Sequence, residues 1–399
     1  MTFTDNADTN DTGKNIVYLD NAATSFPKAP NIGKEMKEAV EKYGVNPGRS
    51  NHSLAMKANQ VIYEAREVIS DFFNVGMPEN IIFTLNATHA INFGLKGFLK
   101  KGDHVIISDR EHNSVYRPLY AMQSQGIIEA DNAITNPYDD YATVKNFEKL
   151  IKKNTKIIAV MSASNVTGIL LPIIEISELA KKYGLLLFVD ASQSGGILPI
   201  NMKTAGIDIL ALPGHKGLLG PHGTGMLIVR EGISLDTIIE GGSGINSSQP
   251  IQPEEYPERM ESGTQNLIGI AGLKDSVEYV KKAGLEKIYK HELALKNKTV
   301  YYLSGIDGIT VYECNKFDTK INSLGVVSFN IKGMSSNDVA EKLDNYGICV
   351  RSGLHCAPLA HNAIGTMPDG CVRASFGLFN KESDADRLIE SIHKIARGK

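Results

Sequence analysis

The feature that most restricts this fold is an alternation of helix-spaced apolar residues with short runs that are apolar at every position. The stretch from Pro172 to Val189 shows it clearly. Proline is tolerated at a helix start and glycine is favoured just past its end. Between Pro172 and Gly184, Ile173, Ile176, Ala180 and Tyr183 share one face at helical spacing. Leu185 to Val189 then reads as a strand buried on both faces, the behaviour of a parallel sheet. It ends at Asp190, which puts a carboxylate at the C-terminal edge of a central strand, where open α/β sheets bind ligands. Ile81 to Thr84 is a second short strand, and beyond Leu85-Asn86-Ala87-Thr88 a helix face is marked by Ile91, Leu95 and Phe98. A strand, a tight turn and a helix N-terminus aim free backbone N–H groups at one point. That makes an anion site, with the Thr88 hydroxyl as a further donor. The expected class is α/β with a mostly parallel central sheet.

The C-terminal third has a different texture. Ser335-x-x-Asp338 resembles a capping box, Val339, Leu343 and Tyr346 line a helix, and Gly347 ends it. Ile348-Cys349-Val350 is a short strand leading to Arg351, and Leu388, Ile392 and Ile395 mark a last helix. A smaller α+β domain is expected here. A Gly-rich stretch at 241–244 and the Pro250 to Pro257 segment form a long connection before it. The first fourteen residues are polar and read as a disordered tail.

The net charge of −3 gives no reason to expect nucleic acid or an anionic membrane as partner. No apolar run approaches the ~18 residues of a membrane helix, and the N-terminus has no signal-peptide core. A cytoplasmic protein is the expectation. In that compartment Cys314, Cys349, Cys356 and Cys371 are not expected to form disulfides, and one of them is a candidate working thiol.

Chemistry concentrates around Gly214-His215-Lys216-Gly217, where glycines allow another group to approach a lysine closely. Upstream, Asp190-Ala191-Ser192-Gln193 offers an acid able to pair with a protonated ring nitrogen, the partner a pyridoxal ring needs, and a Gln able to reach a ring oxygen.

Taken together with other segments, the chain resembles the fold-type I, class V aminotransferase-like enzymes of the cysteine desulfurase and selenocysteine lyase group. The matching segments run in collinear order over nearly the whole chain. They are Tyr18-Leu19-Asp20-Asn21-Ala22-Ala23, Arg110-Glu111-His112-Asn113, Ser164-Asn165-Val166-Thr167-Gly168, Val189 to Gln193, Gly214-His215-Lys216, Glu261-Ser262-Gly263-Thr264, Arg351-Ser352-Gly353-Leu354-His355-Cys356 and Arg373-Ala374-Ser375.

The resemblance implies a pyridoxal 5'-phosphate enzyme. Lys216 would hold the cofactor as a Schiff base and move the substrate's Cα proton. His112 would stack on the ring, Asp190 bind its nitrogen and Gln193 its phenolic oxygen. Ala87, Thr88 and His215 would hold the phosphate. Thr264 would reach the phosphate of the neighbouring subunit, implying a homodimer. Asn165, Arg351 and Arg373 would bind substrate, Arg351 at its carboxylate. Cys356 would attack the sulfur of L-cysteine, giving alanine and a persulfide passed to a sulfur-acceptor protein, with His355 able to assist.

The implied division is a tail at 1–14, a segment at 15–30 associated with the small domain, a large cofactor-binding domain at 31–265 and a small domain at 266–399 carrying the Cys356 loop. Cys314, Cys349 and Cys371 are read as structural, Cys349 as a buried small hydrophobe. The pattern departs from relatives at Pro213, where a Ser or Thr is common, at His89, where an acid is frequent, and at Leu354, where one subgroup has His. The stretch from Cys356 to Arg373 is slightly longer than in that subgroup. Rival readings keep the cofactor but change the reaction: selenocysteine lyase, cysteine sulfinate desulfinase, or another class V amino-acid lyase. Outside that chemistry stand a sulfur-carrier scaffold and a zinc module built on His355, Cys356, His361 and Cys371, whose spacing matches no standard metal pattern; no metal is expected.

Overall fold

The computed structural model describes residues 16–48, 52–313 and 321–398. The expected tail at 1–14 and Cys314 lie outside the described residues. The strands, in chain order, are β1 (Val17–Tyr18), β2 (Ile81–Thr84), β3 (His104–Ser108), β4 (Glu129–Ala133), β5 (Thr155–Met161) and β6 (Leu186–Asp190). They continue with β7 (Ile209–Pro213), β8 (Gly225–Val229), β9 (Ile309–Val311), β10 (Val326–Ile331), β11 (Ile348–Cys349) and β12 (Val372–Ser375).

Seven strands form the main sheet, in the order β2-β8-β7-β6-β5-β3-β4. From β4 through β7 all neighbours run parallel, and only β8 pairs antiparallel, with β7 and β2. The mostly parallel sheet read from the apolar runs is therefore present. Its central strands are buried along nearly their full length. Separate apolar clusters cover its two faces. Ile158, Val160, Leu187, Val189 and Leu210 point into one, and Ile157, Ala159, Phe188, Ile209 and Ala211 into the other. That is the period-two alternation of a strand with helices on both sides.

The helix Ile173–Tyr183 begins after Pro172 and ends at Gly184, whose φ of 65° is left-handed and suits glycine. Between β8 and the helix Leu267–Ala283, residues 230–266 contain neither helix nor strand. That helix packs Leu267, Ile270, Leu273 and Val277 into the core of the large sheet.

A second core gathers around the antiparallel sheet β12-β10-β9 and the helices Ser336–Asn345 and Glu382–Ala396. The N-cap of the first is Ser335, whose hydroxyl accepts from Asp338 N at 3.1 Å. Leu388, Ile392 and Ile395 are all buried, as their spacing requires. The segment from Val17 joins this unit: β1 pairs with β11, Leu19 N donates to Cys349 O at 2.9 Å, and Asp20 bridges to Ser375. None of the helices among the described residues is long and apolar enough to cross a membrane.

Candidate active site

The C-terminal ends of the parallel strands deliver the site. Asp190 is the last residue of β6, and Lys216 lies in the turn that follows β7. The His112 side chain caps the helix Asn113–Ser124, which follows β3. Ala87 and Thr88 open the helix after β2, and Asn165 follows β5. The small unit contributes Arg351 and Arg373. Together these groups line one cavity of about 220 Å³, with Ala22, Gln193, His215 and His355 also on its wall.

The turn carrying Lys216 is clamped from outside. Ser25 N donates to His215 O at 3.1 Å, Ser25 Oγ to Lys216 O at 2.9 Å, and Lys28 Nζ to His215 O at 2.6 Å. A Cβ on Gly217 would lie 2.5 Å from Gly195 O, so glycine is required for that approach.

Burial sets the charges. It lowers Lys216 to about 8 against the pull of Asp190, so about a tenth of its amine is unprotonated at pH 7, far more than for an ordinary lysine. Burial pushes the Asp190 carboxyl up, while Ser192, whose N–H and hydroxyl both donate to Oδ1, and Lys216 draw it back. His112 is lowered to about 4 by burial, then by the positive charges of Lys216, Arg351 and Arg373, so it is a neutral ring. Its Nδ1 accepts from Ser114 N at 3.0 Å, and a hydroxyl chain continues from Ser114 Oγ to Thr88 Oγ1 at 2.9 Å. His215 is lowered to about 3, again chiefly by burial.

Arg373 is 1% exposed and donates to Asn165 O at 2.8 Å and to Asp20 Oδ1 at 2.7 Å. Asn165 donates through Nδ2 to His355 O at 2.8 Å, while its buried Oδ1 has no protein partner among the described residues. An orphaned acceptor on the wall of a cavity points to a ligand that satisfies it.

Cys356 stands apart from this interior. It is exposed, and its Sγ lies 3.7 Å from Arg351 Nη2. His355 and Cys356 have φ of 48° and 56°. Left-handed backbone costs a non-glycine residue about 1–2 kcal/mol, and here it turns the thiol outward beside Arg351. The turn is anchored at Cys356 O, which accepts from Asn113 N at 2.8 Å.

The structure thus gathers Lys216, His112, Ala87, Thr88, Asp190, Gln193, His215, Asn165, Arg351 and Arg373 on one wall, with Cys356 beside Arg351. Thr264 lies elsewhere, on an exposed stretch lining a second cavity of about 180 Å³ with Phe83, His89 and Asn266.

A model of the family "Aminotransferase class-V" matches residues 17–388. The chain belongs to that family. Class-V relatives include a probable cysteine desulfurase from Methanothermobacter thermautotrophicus, 34% identical over 95% of this chain and 94% of that protein. A cysteine desulfurase from Yersinia pseudotuberculosis is 32% identical over 96% of this chain and 94% of its own length. Among solved structures, the apo cysteine desulfurase from Thermococcus onnurineus NA1 is 31% identical and superposes with a TM-score of 0.88, covering 96% of this chain and 95% of that one.

Three features of this class-V site carried no assigned role in the sequence reading. Ser114 links His112 to Thr88, and Asp20 holds Arg373. Glu111 is buried beneath the site, accepts from Met161 N at 3.0 Å, and is pushed up to about 8 by burial. Glu111 and Asp20 lie inside the matching segments, and Ser114 just follows one, but only the fold reveals their partners. One reading needs correction: Cys349 is half-buried rather than buried, because the short β11 lies in a two-stranded sheet with β1 alone. Cys371 is buried. Of the four residues of the zinc reading, His355, His361 and Cys371 come together, with ligand atoms within 4.8 Å of one another, and Cys356 is not among them.

Proposed function

We propose that the protein is a pyridoxal-phosphate-dependent cysteine desulfurase. One observation supports this reading: the Sγ of the exposed Cys356 lies 3.7 Å from Nη2 of Arg351, and Arg351 lines a cavity whose wall also holds a buried lysine, a buried strand-end aspartate and a helix N-terminus.

These residues fit the cofactor's chemistry. Asp190 would face the ring nitrogen, the neutral His112 the ring face and Gln193 the ring oxygen. Ala87 N–H, Thr88 and His215 would take the phosphate, supported by the free N–H groups of the helix start. Thr264 would serve the phosphate in the partner subunit's site of a homodimer. When bound, pyridoxal phosphate supplies an electron sink for negative charge at the substrate Cα.

The protein's own groups do the rest. Arg351 and Arg373 orient the amino acid by its carboxylate, since a guanidinium matches a carboxylate in a two-point fork. Asn165 Oδ1 accepts from the bound substrate or cofactor. Lys216, partly neutral near pH 7, holds the cofactor and accepts the Cα proton. The Cys356 thiolate attacks the substrate sulfur. A new S–S bond forms as the substrate C–S bond breaks, and its electron pair goes to the substrate carbon, which takes up a proton. L-cysteine and the Cys356 thiol thereby become L-alanine and a Cys356 persulfide, with no external oxidant. A sulfur-acceptor protein then takes the terminal sulfur.

The test is the absorption spectrum of the purified protein, followed by addition of L-cysteine without any keto acid. A yellow protein that makes alanine is expected. A colourless protein that binds no pyridoxal phosphate contradicts the cofactor. A yellow protein that releases sulfur only from cysteine sulfinate, which needs no enzyme thiol, contradicts the role of Cys356.

A further inference from the structure

We propose that His361 is a positioning residue. Through a one-way hydrogen-bond relay from Thr366 to His361 to His355 and on to the Arg351 carbonyl, it fixes the turn that presents Cys356.

The direction of the relay follows from its end. His355 Nε2 lies 3.3 Å from Arg351 O, and a carbonyl can only accept, so Nε2 carries the proton. His355 is 3% exposed and is held neutral, its pKa lowered to about 2 by burial and then by Arg373. Its Nδ1 is therefore an acceptor. His361 Nε2 lies 3.2 Å from that atom and must donate to it. His361 is fully buried and also neutral, lowered to about 4 by burial and then by Arg373. Its Nδ1 is then an acceptor too, and Thr366 Oγ1, at 2.6 Å, donates to it. This proton arrangement leaves every ring nitrogen of the pair satisfied. A proton added to His355 Nδ1 would set two N–H groups against each other.

The relay acts where the backbone is strained. His355 and Cys356 are the two consecutive left-handed residues. Asn165 Nδ2 holds His355 O and Asn113 N holds Cys356 O. The imidazole of His355 stacks on His361 with ring centroids 5.3 Å apart and planes 17° apart. The ring of His355 is thus gripped from the protein interior by His361. Arg351, one end of the relay, also holds Cys356 Sγ within 3.7 Å.

The same rings and Cys371 have ligand atoms within 4.8 Å of one another, which makes a metal ion the competing occupant. An ion bound to both His355 Nδ1 and His361 Nε2 would have to displace the proton these two atoms share at 3.2 Å. Burial keeps the Cys371 thiol up at about 11, and the Arg373 charge acts on all three groups. These conditions favour the proton over a cation.

The effect on rate rests on the desulfurase reading, but the effect on the turn does not, and the experiment separates them. His361→Phe keeps ring volume and removes the donor. His361→Gln keeps a donor for His355 and an acceptor for Thr366. Alanine formation from L-cysteine should fall about tenfold or more in His361→Phe, since a buried acceptor loses its partner, and recover to within about threefold of wild type in His361→Gln. Hydrogen exchange across residues 352–357, read with no substrate, should rise in His361→Phe and not in His361→Gln. If His361→Phe does not fold, Thr366→Val tests the same relay one step earlier and should raise exchange in the same residues. Wild-type exchange in His361→Phe, or in Thr366→Val should that stand in for it, overturns the proposal. So does a His361→Gln protein as impaired as His361→Phe. One equivalent of zinc per chain in wild-type protein purified without an affinity tag also overturns it, by giving the turn a metal anchor. A wild-type protein that makes no alanine while exchange still responds to His361→Phe would refute the desulfurase reading and leave the relay standing.

Discussion

The lysine turn after β7 and the cysteine turn after Arg351 carry the two halves of the proposed chemistry, and they are built in opposite ways. The lysine turn leaves the C-terminal edge of a fully buried strand, and glycine-to-glycine backbone contact closes it. Its reactive nitrogen is tuned by burial. The cysteine turn follows a two-residue strand, exposes its sulfur, and holds two left-handed non-glycine residues in place with side-chain and backbone hydrogen bonds. Proton chemistry at Cα needs a dry, fixed base. A sulfur that must be handed to another protein needs a thiol the acceptor can reach. The difference in burial is the structural form of that division.

The sharpest way to break this comparison is to remove each reactive group in turn. Lys216→Ala should lower alanine formation by at least about a thousandfold, since both the cofactor anchor and the base are lost. Cys356→Ala should lower it by about a hundredfold or more while leaving the cofactor absorption unchanged, because the thiol lies outside the cavity. A spectrum altered by Cys356→Ala would show that the two turns are not independent. Asp190→Asn keeps the shape of the strand end and removes its charge; turnover should fall by about ten- to a hundredfold with the protein still folded.

The smallest effect contrasts two buried acids. Glu111 is held by Ser108 and Met161 with the Asp190 charge acting on it, Glu292 lies in the helix Leu285–Leu303, and burial raises both from 4.5 to about 8. The folded state therefore binds protons that the unfolded chain releases between those values. Their contribution to stability is complete below pH 4.5 and is lost as pH rises through about 8. Glu111→Gln and Glu292→Gln should each flatten that decline by one proton, measured as urea midpoint against pH. Only Glu111→Gln should also alter turnover, by about threefold or less, given its distance from the reacting atoms. An equal change in turnover from Glu292→Gln would extend the site beyond the sheet edge.

Much of the lysine side was legible in the sequence, because the signals there are local. Ile81–Thr84 is the observed β2, and the run that ends at Asp190 is β6 displaced by one residue. Pro172 and Gly184 bracket the helix between β5 and β6. The cysteine side was legible as a set of residues but not as an arrangement. Arg373 finds Asp20 across 353 positions of sequence, and no spacing rule reports that pairing. His361 stood in the sequence as a possible ligand, whereas the fold gives it two hydrogen-bond partners in a line. The half-burial of Cys349 depends on a two-stranded sheet whose other strand is near the N-terminus. Local periodicity sees elements; it does not see which distant segment covers them.

The measurement that bears most directly on the central claim is mass spectrometry of the protein after a brief exposure to L-cysteine, with Cys356→Ala alongside. One added sulfur on the peptide containing Cys356, with an equal amount of alanine formed and neither seen in the variant, is the expected result. Alanine formed at the wild-type rate by Cys356→Ala, or the added sulfur found on Cys349 instead, would contradict the account.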